Sequence, residues 1–120
     1  MPFEVLMDGA IPSLVFEAIR EALAEERVHV SEHAYDEALE DGLDILDVIE
    51  SSARGEVIED YPDDPRGASC LVLLRIGDDE APAHAVWGYN EASGSAVLVT
   101  VYRPDRRRWS ADYRKRRAKT

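Results

Sequence analysis

The sequence has only one cysteine, Cys70, among its 120 residues. A single cysteine excludes an internal disulfide and a cysteine-rich zinc site. No apolar stretch approaches the roughly 20 residues that a membrane-spanning helix needs, and the N-terminus lacks the basic-then-apolar order of a secretory signal. We therefore expect a cytoplasmic protein whose fold depends on the burial of apolar side chains.

Familiar motifs of phosphate, metal and nucleophile sites are also missing. The chain has no glycine-rich phosphate loop, no His-Glu-x-x-His helix and no serine-centred nucleophile elbow. Acidic clusters at Asp63–Asp64 and Asp78–Glu80 have the ligand type of a divalent-cation site. Because aspartate is common in turns for backbone reasons, we interpret both clusters as solvated loops. The sequence thus predicts no metal ion and no cofactor.

Positive charge is scarce over most of the chain, whose formal net charge is −11. Residues 1–102 contain five Lys and Arg against 23 Asp and Glu, whereas residues 103–120 contain nine against two. This reversal indicates one of two arrangements. The basic segment binds RNA or an acidic partner, or it neutralises the acidic helices of its own domain or of a dimer mate. Both alternatives use the same arginines, beginning with Arg103, Arg106, Arg107 and Arg108.

Apolar residues recur at helical spacing in the first part of the chain, which predicts three helices. The first covers residues 12 to about 26, the second runs from a Ser31 cap to Gly42, and the third follows from Asp44 to about Arg54. The apolar stripe predicted for the second helix consists of Ala34, Tyr35, Ala38 and Leu39.

The remainder of the chain changes to the two-residue period of β-strands. Four runs rich in Val, Leu and aromatic residues are separated by short turns, which favour hairpins over crossover helices. These runs are Val57–Tyr61, Cys70–Ile76, Ala83–Tyr89 and Ala96–Tyr102. The sequence therefore predicts one α+β domain, residues 1–120, with N-terminal helices packed on one face of a four-stranded antiparallel sheet.

Two histidines are candidate catalytic residues. His33 should lie on the polar face of the second helix, where it is either a solvated surface residue or a general acid or base. His84 lies inside a predicted strand and shares a face with Val86 and Gly88. It either satisfies a hydrogen bond in the core or takes part in a site, and the sequence leaves both roles open.

The last predicted strand carries two hydroxyl side chains, Thr100 and Tyr102. They should share the open face of the sheet with Leu98, while the valines of the strand face the helices. With imidazole and guanidinium groups beside them, these hydroxyls would form a platform that can position a phosphodiester and stabilise charge on phosphorus. The alternative is that threonine and tyrosine occur here for their strand propensity alone.

Several blocks of sequence, taken in order, carry a family resemblance. They are Ser31–Ala34, the helix end at Gly42, GEVIEDYPDD from Gly55, ASCLVL from Ala68, AHAVW around His84, and VLVTVYRPDRRRW followed by DYRKRR. Together they resemble the bacterial family called domain of unknown function 4258, over about residues 28–117. Residues 1–27 then form a helical N-terminal extension, and residues 103–120 form a basic C-terminal segment.

This resemblance implies a fold similar to the RelE and barnase-like ribonucleases, in a family whose members resemble toxins of toxin–antitoxin pairs with a proposed mRNA-cleaving activity. It places the functional candidates at His33, His84, Thr100, Tyr102 and Arg103. One histidine would act as general base or acid, the hydroxyls would orient the substrate, and Arg103 with the arginines after it would bind phosphate without a metal ion.

One departure from the family pattern concerns the second helix. Members commonly carry arginines four and eight residues after the first histidine, and here those positions are Glu37 and Asp41. Exchanging two cations for two anions opposes RNA binding at His33, because like charges repel.

Two functions from different classes therefore remain open. One is a RelE-like, metal-independent endoribonuclease, a toxin with an antitoxin partner. The other is a non-catalytic protein-interaction module or homo-oligomer of the same fold, for which a homodimer is one possible form. Glu37 and Asp41 favour the second function, while the strand histidine and the arginine run favour the first.

Overall fold

The computed structural model describes residues 11–118 and shows an α+β domain, as predicted. The first ten residues of the predicted N-terminal extension, with Lys119 and Thr120, lie outside the described residues. Three helices and five strands follow in chain order: α1 Leu14–Ala24, β1 Val28–Val30, α2 Glu32–Glu40, α3 Ile45–Ser52, β2 Glu56–Tyr61, β3 Ser69–Ile76, β4 Ala81–Asn90 and β5 Ser95–Tyr102.

Each helix begins at a polar cap. The hydroxyls of Ser13 and Ser31 accept hydrogen bonds from backbone N–H groups of the first turns of α1 and α2, and the carboxylate of Asp44 does the same for α3. These caps satisfy N–H groups that have no partner within the helix. The Ser13 hydroxyl also donates to the carboxylate of Asp60 in β2, at 2.6 Å, and so joins α1 to the sheet.

The prediction of a four-stranded antiparallel sheet is wrong in one respect. The sheet is mixed and five-stranded, in the order β1-β5-β4-β3-β2, and β1 pairs with β5 in parallel. Strand β1 is only three residues long, too short for a two-residue period to be recognised. Its strand conformation comes from pairing with β5, a partner almost 70 residues further along the chain.

A β-bulge changes which side chains of β5 face the helices. Residue Trp87 of β4 pairs with Leu98, but the preceding Val86 pairs with Thr100, so Val99 is an extra residue in β5. Leu98 and Val101 are consequently both buried in the core beneath the helices. The predicted alternation placed Leu98 on the open face and the valines of the strand against the helices. It is correct for Val101 but wrong for Leu98, and it is also wrong for Val97 and Val99, which line a groove with Val86 and Gly88.

The sheet packs a core on each face. The larger core joins the helices to one face through side chains that include Ile19, Val48 and Trp87, and the indole N–H of Trp87 donates to the buried Ser52 hydroxyl at 2.9 Å. The smaller core lies on the open face, where Ile58, Leu71 and Leu73 are covered by Trp109 and bordered by Tyr61, Val86 and Tyr113. The open face is thus closed in part by residues after β5.

Residues 103–118, which we call the C-terminal segment, fold back over the open face. An isolated antiparallel bridge joins Trp109 to Arg116. Backbone hydrogen bonds from Ser110 N to Lys115 O, at 2.7 Å, and from Arg117 N to Arg108 O, at 2.8 Å, close the loop between them. The segment is therefore an ordered part of the domain.

The apolar stripe predicted for α2 is only half correct. Ala34 and Ala38 are buried in the larger core, but Tyr35 and Leu39 are exposed, Leu39 to 80% of its surface. Small residues suffice on the inner face because α2 packs close to β5. Two large apolar side chains therefore point away from the core.

Candidate functional site

The predicted site residues form two separate groups. His33 and Thr100 belong to a group at the edge of β5, and His84 and Tyr102 belong to a group beneath the C-terminal segment. Within residues 11–118, no hydrogen bond or ion pair joins His33 to His84. The two hydroxyls of the predicted platform, Thr100 and Tyr102, therefore belong to different groups.

The edge group is organised by Glu37 of α2. His33 is exposed, as predicted, and its Nε2 lies 3.2 Å from Oε2 of Glu37, one helical turn further along. The other oxygen, Oε1, accepts hydrogen bonds from the Thr100 hydroxyl and from the backbone N–H of Val101, the latter at 3.1 Å. One carboxylate thus holds both predicted site residues.

Glu37 and Asp41 replace a missing strand along the edge of β5. Strand β1 pairs with β5 only as far as Leu98, which leaves the next backbone groups on that edge without a strand partner. Oxygens of Glu37 and Asp41 accept from the N–H groups of Val101 and Arg103, the latter at 2.8 Å.

The geometry of a helix lying against a strand explains this pairing. Residues four apart on a helix are separated by about 6 Å along its axis. Alternate residues of a strand are separated by about 6.6 Å. Two carboxylates four residues apart, Glu37 in α2 and Asp41 at its C-terminal cap, therefore match two alternate N–H groups on the open edge of β5. Glu37 and Asp41 therefore have a structural role in this domain.

The second group surrounds a buried histidine. His84 has 0% of its surface exposed and pairs across the sheet with Tyr102. Its Nδ1 lies 3.2 Å from the Tyr102 hydroxyl, and its Nε2 lies 2.9 Å from the backbone oxygen of Tyr113. The Trp109 ring packs edge-on against the imidazole, with 4.4 Å between ring centres. The C-terminal segment thus covers His84.

The partners of His84 define its protonation. A carbonyl oxygen only accepts hydrogen bonds, so Nε2 must carry a proton, and in the neutral ring Nδ1 then accepts from the Tyr102 hydroxyl. Burial lowers the pKa of His84 below its ordinary value of 6.5, although the hydrogen bond to Tyr113 acts in the opposite direction. Burial likewise raises the pKa of Tyr102. Both groups are therefore neutral at pH 7.

We expect His84 to make the stability of the protein fall at mildly acidic pH. Because the folded protein lowers the pKa of His84, the unfolded chain binds more protons as the pH falls through about 6.5. This single group adds a slope of up to about 1.4 kcal/mol per pH unit to the free energy of unfolding, with stability decreasing toward lower pH. Urea denaturation of the wild type and of His84→Gln between neutral and mildly acidic pH measures the difference. Equal slopes in the two proteins would contradict the proposed neutral histidine.

The C-terminal segment is held to strand β2 by bidentate ion pairs. The Arg114 guanidinium donates to both carboxylate oxygens of Glu56, at 2.6 and 2.8 Å, and that of Arg116 donates to both oxygens of Glu59, at 2.9 and 3.1 Å. Arg116 also lies 4.7 Å above the Trp109 ring. Part of the basic segment is therefore an internal clasp, one of the two alternatives that the charge distribution raised.

The four arginines predicted to bind phosphate lie at the start of the C-terminal segment. The Nε of Arg103 donates to the backbone oxygen of Asp41 at 2.9 Å, and Arg107 is paired with Asp105. Arg106 and Arg108 are exposed, and their backbone oxygens accept from Arg117. Among the described residues, none of the four guanidinium groups makes a hydrogen bond with His33 or His84.

Sequence reasoning missed several residues that build the site around His84. Trp109 and Tyr113 are an apolar pair within a basic segment, and this pattern was the available signal that the segment packs on the domain. Glu59 and Tyr61 alternate on β2, and the Tyr61 hydroxyl donates to Glu59. Burial, followed by this bond, raises the pKa of Tyr61 to about 12.

A groove on the open face of the sheet lies apart from both groups. It has a volume of about 750 Å³ and is lined on the sheet by Val86, Gly88, Val97 and Val99, with Arg66 among the loop residues. None of the predicted catalytic residues lines it. Residues 11–118 contain no cluster of three His, Cys, Asp or Glu side chains arranged for a metal ion. The same residues contain no helix long and apolar enough to cross a membrane.

The fold and the two histidine groups define a single-sheet α+β domain in which a helix supplies acidic partners to the last strand and a basic segment covers the open face. A family model described as domain of unknown function (DUF4258) matches residues 30–103, from the end of β1 to the end of β5. Because the match covers more than half of the chain, the protein belongs to this family, and the predicted membership is confirmed. No curated protein and no solved structure matches the chain.

Proposed function

We propose that this protein is a non-catalytic protein-interaction module with a RelE-like fold, and that the outer face of α2 receives the partner. The observation that carries this proposal is that one side of α2 binds the sheet while its outer side exposes large apolar side chains. Glu37 of α2 and Asp41 at its C-terminal cap bind the edge of β5, while Tyr35 and Leu39 are exposed on the outer face of the helix. The Glu37 carboxylate therefore already engages His33 and Thr100, two of the groups that a ribonuclease would use, and an apolar surface is available.

The outer α2 surface combines apolar and acidic side chains. Tyr35 and Leu39 are one helical turn apart and therefore neighbours on the helix. Glu32, Asp36 and Glu40 flank them, are exposed, and form no ion pair with a described residue. An apolar patch with an acidic border fits a partner that presents a basic border around an apolar centre.

A second copy of this chain is the partner that the charges favour. The C-terminal segment exposes basic side chains that form no ion pair with a described residue: Arg103, Arg106, Arg108, Lys115 and Arg117. In a two-fold dimer, the outer α2 surface of one copy would meet this basic surface of the other, and the contact would occur twice. The acidic helices and the basic C-terminal segment would then attract each other between two copies, in addition to the ion pairs within one copy.

Sedimentation equilibrium at low and high salt tests this proposal. We expect a dimer at low salt that dissociates as salt rises, because about 1 M salt screens charges beyond about 3 Å. Leu39→Lys should weaken dimerisation about tenfold or more, since it places a cation in the acidic surface that binds the partner's cations. Leu14→Lys is the matched control, because Leu14 on α1 is 84% exposed and lies outside this surface. A wild type that is monomeric at every salt concentration, or an equal effect of both variants, would overturn the proposal.

A RelE-like endoribonuclease is the second candidate, and the group around His84 favours it. A neutral imidazole with one acceptor nitrogen, the Tyr102 hydroxyl, and the nearby charges of Glu59 and Arg116 are suited to moving a proton beside a phosphodiester. The C-terminal segment would have to release His84 before RNA could reach it. As a toxin, the protein would be paired with an antitoxin.

Fluorescently labelled single-stranded RNA separates the two candidates. Binding is followed across a salt series, and cleavage is read on a gel from the same samples. The ribonuclease predicts cleavage that disappears in His33→Ala or His84→Ala, with affinity that falls steeply as salt rises. The interaction module predicts an intact RNA in every sample.

A further inference from the structure

A small pocket between α3, β3 and the C-terminal segment gathers three arginines. Its volume is about 180 Å³, and it is lined by Ser51, Arg54, Glu56, Leu73, Arg75 and Arg114. We call it the arginine pocket. We propose that the arginine pocket binds a phosphate monoester dianion, either free inorganic phosphate or the terminal phosphate of a nucleotide. This inference is independent of the proposed dimerisation.

Charge is the first argument for a bound dianion. The lining carries three guanidinium groups against the single carboxylate of Glu56, in a chain whose net charge is −11. Like charges at close range repel one another, and an anion between them removes this cost. A phosphate monoester carries about −1.5 to −2 charges at neutral pH. The lining residues have an excess of two positive charges, although one of them, Arg114, is also paired with Asp112 outside the lining.

The available hydrogen-bond donors are the second argument. Arg54 and Arg75 are exposed, and their guanidinium groups make no hydrogen bond or ion pair with a described side chain or backbone group. Each guanidinium has five N–H donors in a planar fork that fits phosphate oxygens. The pocket therefore presents donors to which the described part of the chain supplies no acceptor.

Arg114 is fixed in place beside these donors. Its Nε and one Nη donate to Glu56, and its other Nη lies 3.2 Å from Asp112. These three bonds leave two of its five N–H donors unused. Glu56 therefore acts as a positioning residue, since it holds a cation at the wall of the pocket without closing it. The C-terminal segment completes the pocket by supplying this wall.

The other two arginines reach the pocket from different elements. Arg54 follows the C-terminal end of α3, where the helix carbonyls favour a cation. Arg75 belongs to β3 and lies on the same open face of the sheet as Leu71 and Leu73, because alternate residues of a strand share a face. No described acidic side chain pairs with it there, and a phosphate in the pocket would supply that partner.

The size of the pocket limits what enters it. Liquid water occupies about 30 Å³ per molecule, so the volume corresponds to about six waters. This is enough for one phosphate group with a few waters and leaves a nucleoside outside in solvent. A phosphodiester carries one negative charge per phosphate, so it matches the pocket charge less well than a monoester does.

Isothermal titration calorimetry with inorganic phosphate at constant ionic strength tests the inference. We expect saturable binding of phosphate to the full chain, and about tenfold or greater weakening in Arg75→Gln and in Arg54→Gln, because each removes a charged hydrogen bond. Arg20→Gln is the matched control, since it removes the same charge from α1, outside the pocket. All three positions are exposed, and circular dichroism checks that the variants fold.

Further ligands identify the source of the phosphate. Adenosine monophosphate that binds more tightly than inorganic phosphate points to a nucleotide, and equal affinities point to the phosphate group alone. Dimethyl phosphate, a diester with one charge, should bind at least several-fold more weakly than either. Absence of phosphate binding at millimolar concentration, equal weakening by Arg20→Gln, or equal binding of the diester would overturn the inference. None of these outcomes depends on whether the protein dimerises.

Discussion

Replacing Trp109 by alanine is expected to lower the free energy of unfolding by about 3–5 kcal/mol, the usual cost of truncating a buried tryptophan. Trp109 is 3% exposed and packs on Ile58, Leu71 and Leu73, although it belongs to a segment of mainly charged residues. It is also the ring that covers His84. Because a domain is stable by only about 5–15 kcal/mol, this loss is a large part of the total.

Chemical denaturation of three variants measures this effect. Trp109→Phe retains a ring over the smaller core and should lose less stability than Trp109→Ala. Leu14→Ala, which truncates an exposed apolar side chain on α1, should change stability by about 0.5 kcal/mol or less. Trp109→Ala should also reduce the pH dependence that arises from His84, because the imidazole gains contact with water. A loss in Trp109→Ala no larger than that in Leu14→Ala would mean that the C-terminal segment does not cover the open face.

Replacing Glu37 by arginine is expected to destabilise the protein by about 2–4 kcal/mol. The change removes the carboxylate that accepts from the Thr100 hydroxyl and the Val101 N–H. Hydrogen bonds to charged groups each contribute about 1.5–3 kcal/mol, and arginine has no acceptor with which to replace them. Glu37→Arg thus exposes the edge of β5 beyond β1.

Two matched variants separate the hydrogen bonds of Glu37 from its charge. Glu37→Gln retains an acceptor oxygen in a side chain of the same shape, so it should lose about 1 kcal/mol or less. Glu21→Arg makes the same charge change on an exposed residue of α1 and should change stability by about 0.5 kcal/mol or less. If Glu37→Arg is as stable as Glu21→Arg in urea denaturation, the carboxylate does not serve as an edge partner.

The two expected losses have a common cause. Strand β5 lies between β1 and β4, and beyond Leu98 its open edge depends on α2, while the open face of the sheet depends on the C-terminal segment. Each dependence arises where the sheet lacks a neighbour: the edge of β5 lacks a strand, and the open face lacks a layer of helices. The polar residues that looked catalytic in the sequence lie at these same places. Their partners are therefore mostly structural groups of the same chain.

Helices and the long strands were predictable from local pattern. Caps such as Ser31 and Asp44 and the helical spacing of apolar residues identified all three helices, and alternation with turn residues identified β2 to β5. Strand β1 was missed because three residues carry too little pattern, and the bulge at Val99 was missed because it arises from pairing with β4. Both failures concern contacts between distant parts of the chain.

The candidate site was less predictable than the fold. The exposure of His33 followed from its place on an amphipathic helix, and the face of His84 followed from the strand period. Their partners did not follow, because Glu37 meets Thr100 across 63 residues and His84 meets Tyr113 across 29. Sequence pattern predicts which face of its own helix or strand a side chain occupies, but it does not predict which distant residue contacts that side chain.

The amino-acid sequence by itself determined the α+β class, the family, the three helices and the four long strands, since these depend on neighbouring residues and on order along the chain. Tertiary structure alone decided that β1 joins the sheet, that α2 carboxylates complete the edge of β5, and that much of the basic segment is a clasp over His84. The physical reason is that an unsatisfied edge or an uncovered apolar face takes whichever complementary group the folded chain brings to it, irrespective of its distance in sequence.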